Sequence, residues 1–237
     1  MTVHKVLSMF LIAASLLVLP GFVCAQDQAL PDSPGAAKSV ANVPSEEPMY
    51  FRPTHQTMVK NYEFDAFGPY PVLGAAFAGG INQWSNSPPE WQQGSEGYFK
   101  RFGSNFGRAI ISTTTRYALS EALKEDTLYY RCECSGILPR FRHAVISTVT
   151  ARHGQDGHRV LSISSLVAPY VGSTVAVYGW YPDRYGAKDA LRLGNYNLLA
   201  FIGGNVALEF LYSGPHSLLV RMHLNNGHGA PDPGPNH

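Results

Sequence analysis

Apolar residues recur at helical spacing along much of the chain, most clearly between Trp84 and Asp126. Phe99, Phe102, Phe106, Ile110, Tyr117 and Leu123 form an aromatic and aliphatic stripe on a helix predicted from about Glu96 to about Lys124. Beside the stripe lie Gly103, Gly107, Thr114, Ala118 and Ala122, small residues that let a second backbone approach closely. Just upstream, Ser87-Pro88-Pro89-Glu90 reads as a helix start. Ser87 is the expected cap, proline suits a first turn, and Glu90 stands at the capping-box position.

The same pattern predicts further helices. Thr54 caps one that runs to Phe67 and ends at Gly68-Pro69-Tyr70-Pro71. Val72 to Trp84 is uncharged and rich in Ala and Gly, which predicts a buried, closely packed helix. Leu138 to Val149 suits a helix, although its β-branched residues also suit a strand. His153-Gly154-Gln155-Asp156-Gly157-His158 is a turn signal, with Thr148 to Arg152 and Arg159 to Ile163 as hairpin strands. Ser164 or Ser165 caps a helix to about Tyr178, and Ala187 to about Tyr212 forms the last long one. Within that last helix Glu209 stands among apolar residues and needs a partner, for which Arg108 and Arg116 are candidates. The fold class expected is mainly α: a compact bundle of four to five Gly/Ala-rich helices with one short β-hairpin.

The ends change the picture. Val6 to Leu19 is apolar after a weakly basic start, and Val23-Cys24-Ala25 offers a cleavage site, so residues 1–25 are expected to be a secretory signal peptide. Lipidation at Cys24 is the alternative, against which Phe22 and Val23 stand where small residues are wanted. Residues 26–49 are rich in Pro, Ser and Ala and are expected to be a disordered linker. The helical domain is expected over 50–222 and a disordered tail over 223–237. The localisation that follows is export, to the periplasm or outer membrane.

Charged residues make up 15% of the 237-residue chain, below a usual ~25%. The net charge of +1 gives no footprint for nucleic acid. Three long uncharged runs suggest membrane lipid or another envelope protein as partner. No HExxH, zinc ladder or Ca²⁺ loop is present, so no metal and no cofactor is expected. Cys132 and Cys134, separated by one residue, read as structural or incidental, and would close a tight ring if paired.

Two clusters remain as candidate chemistry. Arg101, Arg108 and Arg116 lie on the long helix. They are either its solvated basic face or a groove for phosphate or an anionic lipid head group. Trp84, Glu90, Trp91, Glu96 and Tyr98 are candidate pocket residues, with the two carboxylates as the pair a hydrolase of lipid or cell-wall material would need. The leading expectation is an exported envelope protein, structural or membrane-associated; the exported hydrolase is the alternative.

The run Gly80-Ile81-Asn82-Gln83-Trp84, Asn86-Ser87-Pro88-Pro89-Glu90-Trp91, Gly94-Ser95-Glu96-Gly97-Tyr98 and Lys100-Arg101-Phe102-Gly103 resembles a family of uncharacterised exported proteins of diderm soil bacteria. The resemblance extends more loosely to about Phe210. Where that family often continues with an Asp-Pro-Arg-Tyr-like element, this chain has Asp126-Thr127-Leu128-Tyr129-Tyr130-Arg131, and the cysteine pair is its own. The resemblance implies an envelope protein with glycine-rich helices and no established activity, and supplies no catalytic residues.

Overall fold

Helix α1 (His55–Phe67) begins where Thr54 accepts a hydrogen bond from the Thr57 amide, the cap the sequence predicts. Gly68 separates it from α2 (Pro69–Trp84). A 3-10 turn (Pro89–Trp91) leads into the longest helix, α3 (Gly94–Ala122). Strand β1 (Tyr130–Arg131) and helix α4 (Ile137–Val149) follow. The hairpin is β2 (Thr150–His153) with β3 (His158–Leu161), then come α5 (Ile163–Gly179), α6 (Ala187–Leu211) and β4 (Ala230–Pro231). This computed structural model describes residues 50–211 and 228–232. The expected signal peptide, the linker, the apolar piece from Leu218 to Met222 and most of the tail lie outside the described residues.

The mainly α architecture matches the expectation. Helix α3 is the axis, packed by α1, α2 and α5, and α6 packs on α5 and α4. Helices α5 and α3 run antiparallel: Ser120 donates to Ser164 at one end (2.8 Å) and the Trp180 indole donates to Ser104 at the other (2.8 Å). Helix α6 runs parallel to α3, with Asn197 donating to Ser112 and Phe201 beneath Arg116.

The hairpin pairs Thr150 with Leu161 and His153 with His158 in antiparallel register. Its turn needs glycine at Gly157, where φ is +68° and a Cβ would stand 2.3 Å from the Tyr50 ring. Strand β1 pairs in parallel with β4, so part of the tail expected to be disordered is a five-residue strap, His228 to Asp232, across one end of the bundle.

Three further details differ from expectation. Ser87 is not a helix cap: Pro88 flanks the 3-10 turn, no side chain caps it, and the Ser87–Pro88 peptide is cis. The uncharged α2 is not buried; only Ala75 and Gly79 are, while Leu73, Phe77 and Trp84 are exposed, because α2 touches its neighbours along one narrow small-residue edge. Glu209 is paired by Arg140 rather than Arg108 or Arg116, since α6 carries it past the C-terminal end of α3.

What is buried is unusual. Ile, Leu and Phe are ordinarily the residues most often buried. Among the described residues none of these, and no Trp, is buried. The interior is mainly Ala, Ser, Gly and Thr, with three tyrosines, Met58, Val177 and several charged or amide side chains, while many large apolar side chains turn outward.

Close backbone approach sets the α3–α5 contact. A Cβ on Gly172 would lie 2.1 Å from Ser112 Oγ and 2.8 Å from the Arg108 carbonyl, whereas one on Gly103 meets nothing within 4 Å. Gly172→Ala is therefore expected to destabilise by about 2 kcal/mol through overpacking. Gly103→Ala is expected to stabilise by roughly 0.5–1 kcal/mol through helix propensity. Denaturant unfolding of the two variants checks both signs.

Candidate functional site

The bundle has two chemically different ends. At the first, α2 and α5 finish and α3 and α6 begin. Arg101, on the second turn of α3, is fully buried there. A guanidinium has five N–H donors, and all five are used. Nε donates to the Ser87 carbonyl (3.1 Å). Nη1 donates to Gln83 Oε1 and the Gln92 carbonyl (both 2.6 Å). Nη2 donates to Asn86 Oδ1 (3.2 Å) and the Pro88 carbonyl (2.6 Å). Every acceptor is neutral. Burial pulls the arginine pKa below its usual value. The loop can fold onto the helix because Gly97 has no side chain: a Cβ there would meet the Gln92 and Trp91 carbonyls at 2.3 and 2.8 Å.

The other candidates at this end lie on its surface. Trp91 packs against Tyr181 (5.0 Å between centroids) and Tyr181 against Tyr185. Trp84 is exposed, and Tyr98 donates to the Ala76 carbonyl (3.3 Å). Glu90 is ion-paired with Arg184, and Glu96 with Lys100 at 2.7 Å. Those hydrogen bonds hold both carboxyls below the usual carboxylate range, whereas a general acid needs a raised value. The structure therefore gathers Glu90, Trp91 and Arg101 around one loop but does not converge Glu90 and Glu96 on a cavity.

Arg108 lies midway along α3, where burial lowers its pKa and its guanidinium donates to Asn105 Oδ1 (2.6 Å). Arg116 belongs to the opposite end, paired with Asp65 at 3.0 Å. The three arginines do not form one groove.

The second end is a hydrogen-bonded network of acidic, basic and tyrosine side chains that no local pattern in the sequence announces. Asp65 accepts from Tyr117 (2.8 Å) and Arg116 and faces His228 Nε2 at 3.1 Å. Burial pushes its pKa up, but the His228 ring and the Arg116 guanidinium outweigh that and bring it down to about 2. Asp126 accepts from Tyr50 (3.0 Å), Tyr130 (2.7 Å) and the Leu128 amide, yet burial leaves its pKa raised. Glu125 accepts from Ser162, Ser164 and the Ile163 amide, closing the start of α5. Glu209 is fully buried and accepts from Tyr129 (2.6 Å), Arg140 (3.1 Å) and the Cys132 amide (3.1 Å). The strap's Asp232 is clasped by Arg152 and by Arg159, the latter at 2.6 Å.

Between the ends lies a belt nearly free of charge. Helices α2 and α5 carry none, α6 carries none between Arg192 and Glu209, and α3 carries only Arg108 between Arg101 and Arg116. Each stretch is 14 to 17 residues, a rise of about 21–25 Å. Large apolar side chains on its outer surface include Leu73 (65% exposed) and Phe77 (60%) on α2, Val167 and Val175 on α5, and Leu199 on α6. An open apolar groove of ≈ 540 Å³ runs along α5 over Leu166, Val167, Tyr170, Val171, Thr174 and Val175. No helix among the described residues is long and apolar enough to cross a membrane. No group of acidic, His or Cys residues there could hold a metal ion. No family model, curated protein or solved structure matches the chain.

Two expectations follow. Arg101→Met strands several buried carbonyls and should cost about 3 kcal/mol or more. Arg101→Lys should recover little, because an ammonium has neither five donors nor a planar fork; equilibrium unfolding reads both. The folded-state pKa of Asp65 is depressed from 3.8 to about 2, so its contribution of about 2 kcal/mol is full above pH ~4 and lost as pH falls through about 2. The stability difference between wild type and Asp65→Asn should therefore shrink across that window in urea titrations at stepped pH.

Proposed function

We propose that the protein is an exported envelope protein of structural role that seats its nearly charge-free belt in the apolar layer of a membrane. The observation that carries this is the inverted burial: mainly small and polar side chains inside, with Leu73, Phe77, Val167, Val175 and Leu199 outside. In water this arrangement leaves many large apolar side chains exposed. In lipid it is ordinary, because helices there associate through small residues and interhelical hydrogen bonds such as Asn197 to Ser112 and Trp180 to Ser104.

The belt of about 21–25 Å is thinner than the ~30 Å hydrocarbon core. The reading is therefore of a partly embedded bundle rather than of conventional spanning helices. Aromatic residues around one end (Trp84, Trp91, Trp180, Tyr181, Tyr185) suit the interface between lipid and water. The apolar segment Val6 to Leu19 and the resemblance to exported envelope proteins support the export part of the proposal.

The test is flotation of the mature chain with phosphatidylcholine–phosphatidylglycerol vesicles, followed by an alkaline carbonate wash. The wild type is expected to float and resist the wash. Leu73→Lys with Phe77→Lys is expected to reduce retention at least tenfold with the helical signal intact, since both sites are exposed. A wild type that stays in the aqueous fraction, monomeric or paired through this surface with a second copy, overturns the proposal.

A further inference from the structure

We propose that Cys132 and Cys134 form a thiol–disulfide exchange site for cysteine thiols of unfolded polypeptides. The two residues are joined in a disulfide with their Cα atoms 5.1 Å apart. The inference does not depend on the membrane reading.

Three observations separate this bridge from a structural staple. First, it encloses one residue, Glu133, so it removes little freedom from the unfolded chain; stabilisation by a cross-link grows with the loop it closes. Second, the segment is anchored without it. Tyr130 and Arg131 pair with the strap, the Tyr129 amide donates to His228 Nδ1 (3.1 Å), and the Cys132 amide donates to the buried Glu209 carboxylate. Third, the two sulfurs differ. Cys134 belongs to an exposed residue, whereas Cys132 is half-buried and its Sγ accepts a hydrogen bond from the Cys134 amide at 3.2 Å. That bond favours negative charge on Cys132 Sγ and makes it the better leaving group.

The chemistry follows from this asymmetry. A substrate thiolate attacks Cys134 Sγ, the Cys132–Cys134 bond breaks, and its electron pair stays on Cys132 Sγ. A second substrate thiolate attacks the substrate sulfur of the mixed disulfide and releases Cys134. The substrate leaves as a disulfide, oxidised by two electrons, and its two thiol protons end on Cys132 and Cys134. Reverse exchange with a second disulfide, such as oxidised glutathione, restores the bridge. Recognition is supplied next door: Ile137 (78% exposed), Leu138 (76%) and Phe141 present an apolar surface immediately after the bridge, fit for the side chains an unfolded segment exposes.

The test uses the full chain with Cys24→Ser throughout, so that only the pair reports. In a glutathione buffer the bridge is expected to open as the reduced fraction rises, with the helical signal unchanged. The thiolate absorbance of Cys134→Ser, which keeps Cys132, should appear at lower pH than that of Cys132→Ser, which keeps Cys134. The bridged protein should also close a reduced two-cysteine peptide flanked by leucines, and Ile137→Ser with Leu138→Ser should slow that reaction. A bridge that stays closed under excess reduced glutathione, opening that costs helical signal, or thiolates that form at the same pH in the two single-cysteine variants overturns the proposal.

Discussion

A single buried guanidinium fixes how this molecule is put together. Arg101 gathers three backbone carbonyls and two side-chain amides from the last turn of α2 and its connection to α3. It thereby sets where α2 ends, where α3 begins and how the Trp91–Tyr181 contact is presented. An isolated buried charge is costly; here saturation of every donor offsets the cost without a counter-ion. Because the acceptors are carbonyl oxygens, this lock is indifferent to acid, unlike the carboxylate network at the far end of the bundle.

The two ends and the belt between them reflect one constraint. Small residues bring the helices too close for large side chains to fit inside, as the Gly172–Ser112 contact shows. The large apolar side chains must then face outward, and interior polar groups must satisfy one another across helices. Charges collect where the helices stop, at Arg101, Glu90 and Arg184 on one side and at Asp65, Asp126, Glu209 and Asp232 on the other. The cysteine bridge stands on that second end, on a backbone already held by Glu209.

Much of this was legible from local signals. The Thr54 cap, the long α3, the glycine turn of the hairpin and the need of Glu209 for a partner all follow from nearby residues. What was not legible depends on residues far apart in the chain. Arg140 and Tyr129 reach Glu209 from 69 and 80 positions away, and spacing cannot choose them over Arg108. Ser87 reads as a cap because its short-range pattern is that of one, yet its carbonyl is taken by Arg101. Val72 to Trp84 reads as buried because apolar composition does not say which solvent a face meets.

The strap from His228 to Asp232 carries a consequence for the order of assembly. His228 meets residues 99 and 163 positions earlier, at Tyr129 and Asp65, and contacts that close such long loops form late. During synthesis the helices leave the ribosome before their last ionic partners exist. Asp65, Arg152 and Arg159 are expected to lack their His228 and Asp232 contacts until the C-terminus arrives, so the strap is the final element to dock. Hydrogen exchange at the Gly229 and Asp232 amides, bonded to Tyr129 and Arg131, would follow that closure. A truncated chain would then keep its helices and its Arg101 lock while leaving one end of the bundle open to water.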